Sequence, residues 1–137
     1  MPRDVIYIAR SRLHRNRANL IQTLHTAAAF GAIGVQVRLY LPPWSRRTVV
    51  AARLDELGIR DPFDLRSSHF LHSRWKWLGF RPFILAHRAE LRSAGVVYTR
   101  SPEISAALAS AGMPHHLEVH EVSHLRKGGP ATRLRPP

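Results

Sequence analysis

Three stretches of the chain share one pattern, in which a short apolar run is followed at once by polar residues. The apolar runs are residues 5–9, 96–99 and 117–119, and the polar residues after them are Arg10-Ser11-Arg12, Arg100-Ser101 and His120-Glu121. Such runs predict buried strands. Parallel strands place their carboxyl ends at one edge of a sheet, where ligands bind. We therefore predict that the three polar stretches face one site.

Helical and strand patterns alternate along the rest of the chain. Apolar residues recur with helical spacing over 18–30, and apolar and polar residues alternate over 35–41 as in a strand. Shorter helices are predicted at 48–57 and 84–93, on either side of an irregular middle. This order predicts an α/β fold with a doubly wound, Rossmann-like parallel sheet in a single domain, and it places strands 5–9 and 96–99 side by side.

The helix that begins after residue 100 has the clearest start. Ser101 suits the N-cap, Pro102 the first helical position and Glu103 the positive end of the helix dipole. With the two strands adjacent, Arg10 and Arg100 are expected to flank the crevice between them.

The middle of the chain, residues 67–83, is rich in aromatic residues. They are Phe70, Trp75, Trp77, Phe80 and Phe83, interleaved with histidines and basic residues. One interpretation is a mobile amphipathic surface that contacts a membrane or a large acceptor. The other is a helix that covers one face of the sheet and buries its tryptophans, and we favour it.

Length and composition bound the class of protein. With 137 residues and 45% hydrophobic residues, the chain can form one globular domain with a core. No apolar run approaches the ~20 residues that span a bilayer. The absence of cysteine excludes disulfides and thiolate metal sites, and a cytoplasmic location follows by default. We place the domain at residues 1–122 and a basic, disordered tail at 123–137. A doubly wound domain usually continues with more helices and strands at this point, so we expect a truncated domain.

The charge is unusual, because 21 Lys and Arg stand against 9 Asp and Glu and give a formal net charge of +12. Nearly all of it is arginine, which binds phosphates and carboxylates in a planar, bidentate way. Such a surface favours nucleic acid, anionic headgroups or phosphorylated substrates. Arginine-rich coding bias on a solvated surface explains the same number equally well, since the arginines are spread along the chain.

Several common chemistries find little support in the sequence. Histidines cluster at positions 115, 116, 120 and 124, but neighbours on a strand point to opposite faces, so His115 and His116 do not share an ion. His120 and His124 could hold one with Glu121 in a helix, but the alternation of apolar residues before them favours a strand, and we predict no metal site. The loop after the first strand, residues 10–16, contains no glycine, which argues against a dinucleotide or P-loop fold. Its arginines, with a helix start beside them, suit an anion. For each arginine taken alone, simple exposure to solvent is the interpretation that we favour. We predict no cofactor.

His120 is distinguished by its position. It follows a predicted buried strand, has Glu118 and Glu121 on either side, and is expected in the crevice. Flanking carboxylates fix the tautomer of an imidazole and raise its pKa. That arrangement suits a group that moves a proton or orients a hydroxyl. A strand-end histidine with a local hydrogen bond is an equally good interpretation of the spacing.

Taken together, these segments resemble a known family. Tyr7-Ile8-Ala9-Arg10-Ser11, the helix leading to Gly34-Val35-Gln36-Val37, Val96-Val97-Tyr98-Thr99-Arg100-Ser101 and Leu117-Glu118-Val119-His120-Glu121 carry the likeness. In order and spacing they resemble the amino-terminal domain of family 4 retaining glycosyltransferases, which have the two-domain GT-B architecture. The resemblance covers roughly residues 4 to 122.

The resemblance implies that this domain holds mainly the acceptor, while a second domain or subunit binds the nucleotide-sugar donor. It implies His120 as a catalytic residue near the transferred sugar, and a loop of Arg10, Ser11, Arg15 and Asn16 near the donor phosphates or the acceptor. Arg100, Ser101, Glu118 and Glu121 complete the expected substrate-binding set. The acceptor would be a sugar or a lipid-linked sugar, with peripheral contact at the inner face of the membrane.

The chain departs from that family in two respects. The loop lacks the family's glycine pair, which leaves side-chain contact with phosphate as the option. The donor-binding half has no counterpart in 137 residues, so we expect no sugar transfer by the chain alone. The alternative function is a basic binding module for nucleic acid or an anionic membrane surface, of which steep salt dependence is the signature. Under the glycosyltransferase interpretation, nucleic acid is not an expected partner.

Overall fold

A computed structural model describes residues 4–13, 18–59 and 63–118 of the chain. Five parallel strands form one sheet in the order β3-β2-β1-β4-β5. The strands are β1 (Asp4–Ile8), β2 (Gln36–Leu41), β3 (Asp64–Ser67), β4 (Val96–Thr99) and β5 (His116–Leu117). The predicted α/β class with a parallel sheet is confirmed.

The strand order reverses at β1, which lies in the middle of the sheet. From β1 the chain moves outward through β2 to β3, and it later returns to the other side of β1 to form β4 and β5. Tyr7 of β1 accordingly pairs with Leu39 on one side and Tyr98 on the other. The predicted neighbourhood of strands 5–9 and 96–99 is thus confirmed. A crevice is expected at this point, between the carboxyl ends of β1 and β4.

Both faces of the sheet are covered, as the nearly continuous apolar sequence of β1 requires. Successive side chains of a strand point to opposite faces. Val5 and Tyr7 therefore pack into one apolar cluster, while Ile6 and Ile8 pack into another. The first cluster lies under α1 (Ala18–Ala32) and the short α2 (Val50–Glu56). The second lies under α3 (Arg81–Ala86), α4 (Arg88–Ser93) and α5 (Pro102–Ser110).

The aromatic middle of the chain differs from the single helix that we favoured. It forms two 3₁₀ helices, His69–Leu71 and Ser73–Leu78, followed by α3. Gly79 and Phe80 have left-handed backbone angles, with φ of 61° and 58°, and they reverse the chain between the second 3₁₀ helix and α3. The segment does cover one face of the sheet, since Phe80 and Phe83 are fully buried in the apolar cluster on that face. The expected burial of the tryptophans is wrong for Trp77, which is 80% exposed, and Trp75 is only half-buried.

Two strands also differ from expectation. β3 was not predicted at all, and it adds an edge strand paired with β2. The strand predicted at 117–119 was expected to be buried, but in β5 both His116 and Leu117 are exposed. β5 pairs with β4 at two positions and lies at the edge of the sheet, where its side chains remain exposed. The predicted tail, 123–137, lies outside the described residues.

Candidate functional site

A cavity of about 180 Å³ opens at the carboxyl ends of β1 and β4, where the strand order reverses. We call it the carboxyl-edge cavity. It is lined by Ala9, Arg10, Ser11, Asn19, Arg100, Ser101, Pro102 and Glu103. Four residues that the sequence predicted for one site, Arg10, Ser11, Arg100 and Ser101, therefore lie together. Asn19 and Glu103 were not predicted as members of it.

Thr99 at the end of β4 fixes the geometry of this edge. Its side chain is fully buried, and its hydroxyl donates a hydrogen bond of 2.7 Å to the backbone oxygen of Ile8. The same hydroxyl accepts a hydrogen bond of 3.1 Å from the backbone N–H of Ser101. Thr99 thus ties the end of β1 to the start of α5. The sequence signal for this role was only a polar β-branched residue at the end of a strand.

Ser101 begins α5 as predicted. Its hydroxyl oxygen accepts a hydrogen bond of 3.3 Å from the backbone N–H of Ile104, which is the bond of a helix N-cap. The hydroxyl proton points to Glu103 Oε1, 3.1 Å away. The N-cap therefore also orients a carboxylate toward the cavity.

Arg10 and Glu103 form an ion pair across the cavity wall. Arg10 Nη1 lies 3.2 Å from Glu103 Oε1, and the guanidinium carbon lies 4.8 Å from the centre of the Phe80 ring. Stacking on an aromatic face and pairing with a carboxylate both restrict the guanidinium. Partial burial alone would raise the pKa of Glu103, but hydrogen bonds from Ser101 and its own backbone N–H, together with the charge of Arg10, hold that pKa below its ordinary value. Glu103 is therefore ionised at neutral pH.

Arg100 lines the cavity, but its charged group is turned toward α1. It donates hydrogen bonds to Gln22 Oε1 at 2.9 Å, to Thr23 Oγ1 at 3.1 Å and to the backbone oxygen of Asn19 at 3.2 Å. Its Nε also lies 3.6 Å from Glu118 Oε1, and only 8% of the side chain is exposed. Arg100 therefore joins α1 to the sheet, and we assign it a positioning role.

Glu118 is brought to the same edge by the backbone. Its N–H donates a hydrogen bond of 2.9 Å to the backbone oxygen of Thr99, and its carboxylate faces Arg100. The other predicted site residues, Arg15, Asn16, His120 and Glu121, lie outside the described residues.

A larger cavity, of about 560 Å³, lies at the opposite, amino-terminal edge of the sheet. We call it the amino-edge cavity. Its lining includes Arg38, Asp64 and Glu90, a set that the sequence did not predict. Glu90 accepts hydrogen bonds from Arg38 and from the Tyr40 hydroxyl, whose oxygen lies 2.7 and 2.8 Å from the two carboxylate oxygens. Arg38 Nε also lies 3.5 Å from Asp64 Oδ2.

The hydrogen-bond network around Glu90 extends through His87 to Ser68. His87 Nδ1 lies 3.1 Å from Glu90 Oε1, and His87 Nε2 lies 3.5 Å from the hydroxyl oxygen of the buried Ser68. Burial alone would raise the pKa of Glu90, but hydrogen bonds from Tyr40, Arg38 and His87 lower it overall. Burial and the Glu90 carboxylate raise the pKa of Tyr40 to about 12. The sequence does contain one signal for Glu90, which is the single acidic residue between Asp64 and Glu103.

The two cavities differ in what they offer a ligand. At the amino edge, the cation and the carboxylates bind one another and hold β2, β3 and α4 together. At the carboxyl edge Arg10 and Glu103 also pair, but Ser11 and Asn19 line the cavity beside them, at the point where open α/β sheets bind ligands. The chemistry of the fold therefore favours the smaller, carboxyl-edge cavity as the functional site.

Comparison of the chain with known proteins does not indicate a function. No family model matches the chain, and neither curated proteins nor solved structures give a significant match. Within residues 4–13, 18–59 and 63–118, no three His, Asp or Glu side chains are grouped so that they could hold a metal ion. No helix in those ranges has the length and apolar character needed to cross a membrane.

Proposed function

We propose that the chain is the acceptor-side domain of a GT-B glycosyltransferase, and that the carboxyl-edge cavity binds a sugar acceptor. One observation carries the proposal, namely the polar cavity at the point where the strand order reverses. The resemblance of the sequence segments to family 4 retaining enzymes points to the same edge of the same strands. The cavity and the resembling segments share Arg10, Ser11, Arg100 and Ser101, so the topology and the sequence support the proposal at the same residues.

The groups around the cavity suit the hydroxyls of a sugar. Each sugar hydroxyl both donates and accepts hydrogen bonds, so a site for it needs acceptors and donors side by side. The Glu103 carboxylate accepts, the Arg10 guanidinium donates, and the Ser11 hydroxyl does both. Because Ser101 and Phe80 hold the first two groups in place, they are oriented before a ligand arrives.

The small volume of the cavity is consistent with a site that a second domain or subunit completes. Pockets that enclose a ligand usually have volumes of about 300–1,000 Å³, whereas this one has about 180 Å³. We interpret this cavity as one side of a larger cleft. In the proposed enzyme a separate domain or subunit supplies the other wall and binds the nucleotide-sugar donor. His120 remains the proposed catalytic residue, and this domain orients the acceptor hydroxyl that receives the sugar.

Calorimetric titration with glucose, mannose, N-acetylglucosamine and their disaccharides tests the proposal. We expect at least one sugar to bind with a millimolar dissociation constant. Glu103→Gln should weaken that binding about fivefold to tenfold, because a hydrogen bond to a charged acceptor is replaced by one to a neutral acceptor. The matched control is Asp55→Asn, which removes an exposed carboxylate of α2 that does not line the cavity.

Two outcomes with the same purified protein would contradict the proposal. Equal binding by the wild type and Glu103→Gln would place the sugar elsewhere on the molecule. Robust turnover of a nucleotide sugar by the chain alone would show that a separate donor-binding domain is not required. We expect no turnover from the isolated chain.

A further inference from the structure

The strand β3 (Asp64–Ser67) has one edge to which no strand of the described chain is paired. It is the end strand of the sheet, and among the described strands it pairs with β2 alone. An edge strand presents backbone N–H and C=O groups that can pair with a strand of another chain. This edge is distinct from the carboxyl-edge cavity, whose lining contains no residue of β3.

The hydrogen bonds to β2 show which backbone groups of β3 face outward. The N–H of Ser68, directly after the strand, donates a hydrogen bond of 2.9 Å to the backbone oxygen of Leu41 in β2. Backbone polar groups alternate in direction along a strand. Arg66 and Asp64 therefore also direct their backbone groups to β2, whereas Leu65 and Ser67 direct theirs away from the sheet.

The side chains of β3 place opposite charges next to each other. Asp64 and Arg66 are two residues apart and so lie on one face of the strand. Arg66 Nε lies 2.9 Å from Asp64 Oδ2, and 47% of the Asp64 side chain and 49% of the Arg66 side chain are exposed. Leu65 lies on the opposite face, where it is half-buried against the apolar cluster under α1 and α2.

This pattern is complementary to itself in one antiparallel register. When Leu65 lies opposite the partner's Leu65, each Asp64 lies opposite the partner's Arg66. A shift that sets Leu65 opposite the partner's Ser67 instead brings the two Arg66 side chains together, where like charges repel. Charged residues on short edge strands usually prevent pairing. Here the same charges exclude one register and favour another.

We propose that β3 pairs antiparallel with β3 of a second copy of this chain, about a two-fold axis at Leu65. The two Leu65 residues exchange backbone hydrogen bonds, because their N–H and C=O groups face outward. Asp64 and Arg66 of both copies then alternate in sign around a closed ring of four charges. A two-fold interface requires such a self-complementary patch. The inference does not rest on the proposed sugar acceptor.

Sedimentation velocity over a series of protein concentrations measures this association. We expect a reversible monomer–dimer equilibrium with a dissociation constant of about 10–100 µM, since an interface formed by one short strand is small. Salt at about 0.15 M screens the general repulsion between two cationic copies. A wild type that stays monomeric on both sides of that concentration range would overturn the proposal.

Leu65→Pro tests the backbone pairing. It removes an N–H that faces away from β2, so the bonds between β3 and β2 remain, and proline is tolerated at such edge positions. Two symmetric hydrogen bonds are lost per dimer, and we expect association to weaken at least about tenfold. Leu65→Ala is the matched control, because it keeps the N–H and should weaken association less. Dimerisation unaffected by Leu65→Pro would place the contact on another surface and overturn the proposal.

A mixture of two charge variants tests the register. Asp64→Arg leaves two arginines on each strand and Arg66→Asp leaves two aspartates, so each variant alone should associate at least about tenfold more weakly. In an equimolar mixture every arginine faces an aspartate of the other variant, and dimers should form again. The ion pair within each strand is absent from both variants, so it cannot cause this recovery.

Exposed residues outside β3 supply the matched charge controls. Asp55→Arg and Arg47→Asp make the same two changes of charge, and each variant alone should associate like the wild type. Thermal unfolding shows which variants are folded, and Leu65→Pro tests the same edge without a change of charge. Folded Asp64→Arg and Arg66→Asp variants that remain monomeric in the mixture would overturn the proposed register.

Discussion

Replacement of Thr99 by valine is expected to destabilise the protein by about 2–3 kcal/mol, because it leaves two backbone groups unpaired in the core. Valine has the shape of threonine but lacks the hydroxyl that bonds the backbone oxygen of Ile8 and the N–H of Ser101. Neither group is offered a substitute partner by valine. For a domain of this size the loss lowers Tm by roughly 6–15 °C.

Two companion variants make the Thr99 result specific. Thr99→Ser retains the hydroxyl and should lose only about 1 kcal/mol, for the missing methyl group. Thr48→Val makes the same change at a half-buried loop residue outside the sheet, and should change stability by less than about 0.5 kcal/mol. If Thr99→Val were as stable as the wild type, the tie between β1 and α5 would not support the cavity.

Replacement of Glu90 by glutamine is expected to lower stability at neutral pH by about 1.5–3 kcal/mol. Arg38, Tyr40 and His87 all bond the Glu90 carboxylate, and glutamine offers only one neutral acceptor to replace it. Urea unfolding at pH 7 measures the difference. Glu56→Gln is the control, since 67% of the Glu56 side chain is exposed and it pairs with Arg53 of the same helix, α2.

The pH dependence of this effect has a definite sign. Interactions in the folded protein lower the pKa of Glu90 below its ordinary value of 4.5. A carboxyl whose pKa is lower in the folded state stabilises the fold above pH 4.5, and this stabilisation is lost as pH falls through the lowered pKa. The difference between the wild type and Glu90→Gln should therefore be full at pH 7 and shrink below pH 4.5. A difference that grows as the pH falls would contradict the assignment.

The main elements of the fold could be predicted because their signals are local. β1 and β2 have the expected apolar runs, α1 has its apolar stripe, and α5 has a capping serine followed by proline. The alternation of these elements then leaves few topologies, and the expected neighbourhood of β1 and β4 is observed.

The elements that escaped prediction lack such signals. β3 has four residues and one apolar side chain, Leu65, and it is a strand because its backbone pairs with β2. The second 3₁₀ helix and α3 have helical spacing in part, but the left-handed backbone at Gly79 and Phe80 divides them. In both cases the structure depends on a neighbour that is remote in sequence or on a backbone angle that periodicity does not reveal.

The sequence predicted which residues meet at the candidate site, but not how their side chains are directed. Parallel topology alone brings Arg10, Ser11, Arg100 and Ser101 to one edge, and they line one cavity there. The direction of the Arg100 side chain was not predictable, because its partners in α1 lie 77 to 81 residues away. The ion pair of Arg10 with Glu103 spans 93 residues. Such pairings follow from the packed fold and leave no pattern in the sequence.

Sugar binding at the carboxyl-edge cavity is tested most directly by a map of backbone amide chemical shifts. A sugar identified by calorimetry is titrated into labelled protein, and the shifts of the two cavities are compared. We expect Ser11, Ser101 and Glu103 of the carboxyl-edge cavity to shift with one common dissociation constant, and we expect no shift of Gln36 and Asp64 of the amino-edge cavity. Shifts confined to Gln36 and Asp64 would contradict this expectation and move the site to the opposite edge of the sheet.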